Sequence, residues 1–174
     1  LRVGVSRGLV ERALAELSER PRTLIARRLM GEFEPSADFF THLLSEERRE
    51  ERDGQPYPFF LASALKDPPE ALGPPRDWQA EWKWDGIRAQ VIARPNGIWV
   101  WSRGEEPMAG RFPEVEAAAE ALPEVVLDGE LVAWKDGVLP FSEMQRRIQR
   151  KKVGATLLRD VPVAFLAYDL IEYQ

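Results

Sequence analysis

The segment from Glu81 to Arg88, EWKWDGIR, places a lysine between two tryptophans and follows it with an acid, a glycine and an arginine. A lysine is a nucleophile only when its amine is neutral, a form that burial and nearby cations favour. Arg88 is a suitable neighbouring cation, and its planar guanidinium can also bind a phosphate through two parallel hydrogen bonds. Gly86 allows a tight turn and adds no side chain where a ligand approaches. The segment permits a reactive Lys83, although the spacing alone fits a strand-end turn with solvent-facing charges equally well.

The residues around Lys83 alternate between apolar and charged side chains, which is typical of a β-strand. Ala80, Trp82 and Trp84 occupy one set of alternate positions, so we expect the tryptophans in the core and Lys83 on the opposite sheet face. Pro95-Asn96-Gly97 predicts a hairpin turn, followed by a second strand from Ile98 to Ser102. Further strands are predicted at residues 125–134 and 161–172, with a helix that begins at a proline at residues 113–121. The pattern predicts an α+β fold dominated by antiparallel strand pairs.

Helical periodicity dominates the N-terminal third of the chain. Apolar residues recur at helical spacing in residues 8–19, and further helices are predicted at residues 21–30 and 36–50. His42 lies in the third of these helices and is the only histidine of the chain, so we interpret it as structural. Prolines between residues 56 and 75 exclude long helices there. We place a domain boundary near residue 53, between a helical domain (1–53) and a second domain (54–174).

Composition restricts the kinds of site that are available. The chain has 174 residues, of which 44% are apolar and 30% charged, an ordinary globular composition. It has no cysteine, which excludes disulfides and thiolate metal ligands. No apolar run approaches the length of a membrane span, and no signal peptide is recognisable. We therefore expect an intracellular, cytoplasmic protein without a membrane partner. A prokaryotic origin is a separate expectation that the composition does not establish.

The formal net charge is −5, but one basic run stands out between residues 146 and 152. It contains Arg146, Arg147, Arg150, Lys151 and Lys152. Two interpretations are open, a solvated helix face and a surface that contacts the phosphate backbone of a nucleic acid.

Several motifs in order resemble those of the covalent nucleotidyltransferases, the superfamily of polynucleotide ligases and messenger-RNA capping enzymes. EWKWDGIR resembles their nucleotide-attachment motif, and WSRGEE (residues 101–106) resembles the next one. VVLDGELVAW (125–134) and FLAYDLIE (165–172) are similar to two further motifs of the family. The segment YPFFLASAL, before Lys83, occupies the place of the family's opening segment, which helps to line the adenine pocket.

The resemblance implies a role for individual residues. Lys83 would form the covalent bond to the nucleoside monophosphate, and Arg103 would lie on the phosphate side. Glu130 would contact the ribose and assist in binding a metal ion, and Tyr168 would pack on the purine where phenylalanine is the usual residue. Glu81 and Arg88 complete the expected nucleotide-binding set, whereas Asp85 is left without a role.

The helical part also resembles a known segment. LRVGVSRGLVERALAEL is similar to part of the DNA-binding domain that precedes the catalytic core of ATP-dependent DNA ligases. The combination of this helical segment with the nucleotidyltransferase motifs favours a DNA ligase over a capping enzyme. It also favours ATP over NAD as the adenylate donor. The DNA-contact candidates that follow are Arg2, Arg7, Arg146, Arg147, Arg150 and Lys151.

The resemblance implies an ATP-dependent DNA ligase, a monomer that seals nicks in duplex DNA through a lysyl-AMP intermediate with Mg²⁺, in replication, repair or recombination. The expected fold is a helical segment followed by a mainly antiparallel adenylation domain, incomplete at its C-terminus because later motifs and an OB-fold domain do not appear. Two alternatives stay open. One is an RNA-directed relative, either an RNA ligase or a capping guanylyltransferase; the other is a DNA-binding module with a degenerate catalytic domain.

Overall fold

The computed structural model describes residues 4–30, 34–45, 54–60, 62–104, 106–150 and 153–174. The N-terminal region forms three helices, at the positions where the apolar periodicity predicts them. They are α1 (Arg7–Ser18), α2 (Arg22–Arg28) and α3 (Ala37–Leu44). Residues 46–50, the expected end of the third helix, lie outside the described residues.

Side-chain caps and a small core define these three helices. The hydroxyl oxygens of Ser6 and Ser36 accept hydrogen bonds from the backbone N–H groups of Leu9 and Phe39, which satisfies free donors at the starts of α1 and α3. At the other end of α3, the buried Arg28 guanidinium donates to backbone carbonyls at distances of 2.9–3.1 Å. The helices pack around a core of Ala15, Ile25 and Leu43.

The second region is built on one antiparallel sheet. After two short 3-10 helices (Pro69–Leu72 and Pro75–Asp77), the remaining elements are β1 (Ile87–Arg94), β2 (Gly97–Ser102), α4 (Pro113–Ala119), β3 (Val125–Ala133), α5 (Phe141–Ile148), α6 (Ala155–Asp160) and β4 (Val163–Tyr173). The four strands pair in the order β2-β1-β3-β4, and every pair is antiparallel. The predicted α+β class with antiparallel pairing is confirmed.

The register of β1 against β3 separates an apolar sheet face from a polar one. Ala89 and Val91 belong to the main core, which also includes Val115 of α4 and Met144 of α5. The alternate residues of β1 point to the other face, where Arg88 lies opposite Glu130 and Gln90 lies opposite Asp128. These polar groups occupy the central part of this polar face, and a buried apolar cluster of Ile92, Trp101 and Val126 covers its other end.

Arg147 is a structural residue, which corrects the prediction that it contacts DNA. Its side chain on α5 is fully buried, and Nη1 lies 2.8 Å from the Glu114 carboxylate of α4. The guanidinium also donates to the backbone carbonyls of Val161 and Arg111. A charge enclosed in this way is not available to a phosphate backbone, so the basic run is neither a uniform solvated face nor a uniform binding surface.

Loss of the Glu114 carboxylate is expected to destabilise the fold strongly. Glu114→Ala leaves the Arg147 charge buried without its partner, which should lower the free energy of unfolding by about 3–5 kcal/mol in urea denaturation. The matched control is Glu143→Ala, which breaks the exposed pair with Arg146 and should cost at most about 1 kcal/mol. The double variant Glu114→Leu/Arg147→Met should recover most of the loss, since it removes both charges. Equal losses for Glu114→Ala and Glu143→Ala would contradict this assignment.

Among the helices of the described residues, none has both the length and the apolarity that a membrane crossing requires.

Candidate active site

Lys83 does not lie in a strand, contrary to the prediction. The residues from Trp78 to Trp84 form no regular element, and β1 begins only at Ile87. Trp82 is 82% exposed, so its assignment to the core was also wrong. The alternating pattern was misleading because a strand also needs a hydrogen-bonded neighbour, and within the described part of the chain no strand pairs with this segment.

The irregular segment forms one wall of an open cleft with a volume of about 710 Å³. The cleft brings together all the residues for which a nucleotide-binding or catalytic role was predicted. These are Glu81, Lys83, Arg88, Arg103, Glu130 and Tyr168. Asp85 and Ala62 also line it. Charges of both signs therefore converge on one concave surface, as binding a nucleotide and a cation together requires.

Gly86 makes the turn between Lys83 and β1 possible. A Cβ atom at this position would lie 2.2 Å from the backbone oxygen of Leu131 and 2.9 Å from Cγ of Glu130. Only a glycine lets the segment approach β3 so closely. The Gly86 N–H also acts on the Glu130 carboxyl, whose pKa it lowers. The glycine thus brings the segment that carries Lys83 against the strand that carries Glu130, and both residues line the cleft.

Arg88 is held in place by a buried carboxylate. Its Nε and Nη2 donate to the two Asp128 oxygens at 3.0 and 3.2 Å, and Asp128 is only 2% exposed. Burial of the guanidinium lowers the pKa of Arg88, but the hydrogen bond and the charge of Asp128 outweigh it, so the pKa lies above its ordinary value. Asp128 and Glu130 share a strand face as expected, yet only Glu130 remains open to a ligand. The positioning role of Asp128 was not foreseen from the sequence.

Glu130 is half-buried at the base of the cleft. Burial raises the pKa of its carboxyl above the ordinary value, although Arg88, the Gly86 N–H and Lys83 each oppose that shift. Lys83 lines the same cleft as this carboxyl, and its positive charge favours the ionised form. The surroundings of Glu130 in the cleft therefore shift the pKa of its carboxyl, and burial is the largest cause.

Tyr168 lies in the cleft rather than in an apolar layer. Ala167 pairs with Gly129 and Asp169 pairs with Asp128, so Tyr168 is the unpaired residue of a β-bulge that turns its ring toward the site. The Arg88 guanidinium lies 5.3 Å from the ring centroid. Burial raises the pKa of Tyr168 to about 12, so the phenol stays protonated at neutral pH.

A family described as ATP dependent DNA ligase domain matches residues 59–174, which include the whole cleft. The chain belongs to the ATP-dependent DNA ligase family. Across 98% of its length it is 35% identical to a probable DNA ligase of Koribacter versatilis and 31% identical to a DNA ligase of Haloarcula marismortui. It spans 30% and 32% of the lengths of those two relatives. Among solved structures, it is 38% identical to a mycobacterial DNA ligase D complexed with ATP and MES, with a TM-score of 0.43 over 53% of this chain and 28% of that one.

The cations of this ligase-family cleft differ in how firmly they are held. Arg103 is exposed, and its backbone N–H donates to the carbonyl of Arg88 at 3.0 Å, which sets the two arginines side by side. In the described part of the chain, neither the Arg103 guanidinium nor the Lys83 amine forms a side-chain hydrogen bond or an ion pair. Glu81 is exposed at the rim, where it accepts a hydrogen bond from Gln79. Lys83 and Arg103 are therefore the cleft cations without an ion-pair partner among the described residues, whereas Arg88 is paired with Asp128 and only its Nη1 group is left for a ligand.

The metal-binding capacity of the ligase-family cleft is limited. Across the residues that the structure describes, no group of three or more His, Cys, Asp or Glu side chains could hold a metal ion. Mg²⁺ commonly binds through one or two carboxylates and completes its coordination with water and substrate phosphates. Glu130 fits that requirement, so the residues present suit a Mg²⁺ ion that arrives with a nucleotide.

The predicted DNA-contact residues differ in their exposure and pairing within the described structure. Arg7 at the start of α1 is paired with Glu11 at 2.9 Å and is partly exposed. Arg146 and Arg150 are exposed, whereas Arg147 is buried as described above. Arg2, Lys151 and Lys152 lie outside the described residues.

Proposed function

We propose that the protein carries the nucleotide-transfer chemistry of an ATP-dependent DNA ligase, which seals nicks in duplex DNA through a covalent lysyl-AMP intermediate. The observation that carries the proposal is the convergence of Lys83, Glu130 and two arginines on one cleft in a chain of this family. The complete ligation reaction is also a proposal, because the chain spans only about a third of the length of these relatives.

In the first step, the neutral Lys83 Nζ attacks the α-phosphorus of ATP. A P–N bond forms, the P–O bond to the β-phosphate breaks, pyrophosphate leaves, and the amine loses a proton. Asp128 fixes Arg88 through Nε and Nη2, which keeps the arginine charge directed at the cleft. Arg88 and Arg103 together stabilise the negative charge that develops on the phosphoryl oxygens. When bound at Glu130, Mg²⁺ would add to that charge neutralisation.

The two later steps consume the adenylate. An oxygen of the 5′-phosphate at a nick attacks the phosphorus of lysyl-AMP, the P–N bond breaks, and Lys83 regains its amine. The 3′-hydroxyl then attacks the 5′-phosphorus, a phosphodiester bond forms, and AMP leaves. Nicked duplex DNA is the proposed partner, the monomer is the proposed state, and Arg7, Arg146 and Arg150 are the described residues proposed to contact its backbone.

The base end of the nucleotide is proposed to lie against Tyr168. Its protonated phenol leaves the ring uncharged, so the face of the ring can stack on a purine. Glu81, at the rim of the same cleft, supplies a hydrogen-bond acceptor for an amino group of the base. Adenine and guanine both carry an exocyclic amino group, so this acceptor suits either purine, and ATP is proposed as the donor from the family match.

Intact-mass spectrometry after incubation with ATP and Mg²⁺ tests the first step. We expect a mass increase of one adenylyl group, and peptide mapping should place it on Lys83. Pyrophosphate should remove it, because the step is reversible, and GTP should give no adduct. An adduct from GTP alone would favour the capping alternative, and an adduct on another lysine would contradict the assignment of Lys83.

A further inference from the structure

Gln90 is a buried polar residue at the centre of the polar sheet face. Its side chain is inaccessible to solvent. The next two residues of β1, Val91 and Ile92, are also buried but apolar. Burying an amide costs free energy unless its polar atoms are hydrogen-bonded. The contacts of Gln90 therefore show what the amide holds in place.

The first set of contacts joins Gln90 to the backbone of Tyr57. Gln90 Oε1 accepts a hydrogen bond from the Tyr57 N–H at 2.7 Å, and Nε2 donates to the Tyr57 carbonyl at 3.0 Å. The amide pairs with one residue of the connecting segment (residues 54–60) as a neighbouring strand would. A few residues later the same chain reaches Ala62, which lines the nucleotide cleft. Gln90 thus anchors the described segment that precedes that wall of the cleft.

The second contact joins Gln90 to the carboxylate behind Arg88. Gln90 Nε2 also lies 3.4 Å from Oδ2 of Asp128, the oxygen that accepts from Nη2 of Arg88. A donor at this point restrains the carboxylate and thereby the arginine. The Gln90 side chain therefore contacts both the connecting segment, at Tyr57, and the Asp128 carboxylate that holds Arg88.

Other contacts hold the connecting segment but do not reach the cleft. The Tyr57 hydroxyl donates to Glu172 at 2.8 Å, and the Arg27 guanidinium lies 3.7 Å from the Tyr57 ring centroid. Trp101 Nε1 donates to the Gly54 carbonyl at 2.7 Å. These interactions keep the segment on the sheet when Gln90 is changed, so a Gln90 variant is expected to fold with a shifted cleft wall.

We propose that Gln90 is a positioning residue for nucleotide binding, because its buried amide clamps the Tyr57 backbone beside the cleft and restrains the Asp128–Arg88 pair. The inference rests on the proposed function, since it assigns the cleft to ATP. Gln90 is not a catalytic residue, because it acts through Tyr57 and Asp128.

The test compares Gln90→Leu with Val91→Ala, a variant of the adjacent residue, which faces the opposite core. Binding of α,β-methylene-ATP, which cannot release pyrophosphate, is followed by tryptophan fluorescence, since Trp82 and Trp84 line the cleft. For Gln90→Leu we expect the Kd to rise about tenfold, while adenylylation at saturating ATP slows less than threefold. For Val91→Ala, measured well below its Tm, we expect an unchanged Kd.

A second variant, Gln90→Glu, separates positioning from folding. The introduced carboxyl has the shape of the amide and, when protonated, can accept from the Tyr57 N–H and donate to Asp128 or the Tyr57 carbonyl. When ionised it repels Asp128. Its Kd relative to wild type should therefore improve several-fold from pH 8 to pH 6, in a manner that Val91→Ala does not show.

The outcomes distinguish this inference from the proposed function. Wild-type protein that forms the Lys83 adduct, together with Gln90→Leu of unchanged Kd, would overturn the role of Gln90 alone. A Gln90→Glu protein that is unfolded at every pH would make the amide purely structural, which also overturns it. Wild-type protein that neither binds the analogue nor forms the adduct would overturn both.

Discussion

Lys83→Arg is expected to abolish the adenylyl adduct. The guanidinium stays protonated at any pH at which the protein is folded, so the substitution keeps the positive charge but removes the nucleophile. Its size and charge also preserve the attraction for phosphate, and ATP binding should therefore change only slightly. We expect a fall of at least on the order of 10³-fold in the rate of adduct formation. Intact mass after incubation with ATP and Mg²⁺ gives the measurement.

The matched control is Lys66→Arg, the same chemical change at an exposed lysine that does not line the cleft. Its adduct should form at the wild-type rate. An adduct that persists in Lys83→Arg would place the nucleophile elsewhere in the chain. A joint loss of adduct formation and analogue binding would instead show that the amine is needed for affinity.

Gly86→Ala is expected to have the next largest effect. The new methyl group would meet the Leu131 carbonyl oxygen at 2.2 Å, and this atom belongs to a backbone that is paired within the sheet. The turn must therefore move, and the Lys83 amine moves with it. A displacement of about 1 Å commonly costs on the order of 100-fold in rate, which is the fall that we expect for adduct formation. Strain of this kind should also lower the free energy of unfolding by about 1–3 kcal/mol.

Gly154→Ala controls for the glycine-to-alanine change itself. Position 154 has open space around an added Cβ and a φ of −82°, so neither a clash nor backbone strain arises there. Adenylylation kinetics should resemble wild type, and the free energy of unfolding in urea should fall by at most about 1 kcal/mol, because Gly154 is the N-cap of α6 and alanine is a poorer cap. If Gly86→Ala also keeps wild-type kinetics, the close approach of the turn to β3 has no bearing on the chemistry.

The sequence was informative about which residues meet and less so about the element that carries them. Lys83, Arg103, Glu130 and Tyr168 were assigned to one site, and they do line one cleft. The strand predicted around Lys83 was wrong, because alternation describes the side chains whereas strand formation depends on a partner that is remote in sequence. That a residue belongs to a site could thus be recognised without knowing its secondary structure.

The support behind the site could not be predicted. Neither the pairing of Arg88 with Asp128 nor the clamp of Gln90 on Tyr57 follows from local pattern, since each joins residues that lie far apart in the chain. The same reason explains the error at Arg147. In a run of basic residues each one looks equally exposed, and only the packing of α5 against α4 shows which one points inward.

The polar face of the sheet also restricts how its strands can assemble. Side chains alternate with a period of two, so a slip of one residue between β1 and β3 would move Arg88 and Gln90 into the apolar core and place Ala89 and Val91 among the polar groups of the other face. A slip of two residues keeps the faces but separates each polar group from its partner, which leaves charges desolvated and unpaired. The groups of the proposed nucleotide site therefore also favour the native alignment of β1 and β3 during folding. A chain that reaches the native register has thereby assembled the Asp128 and Gln90 contacts that hold the cleft.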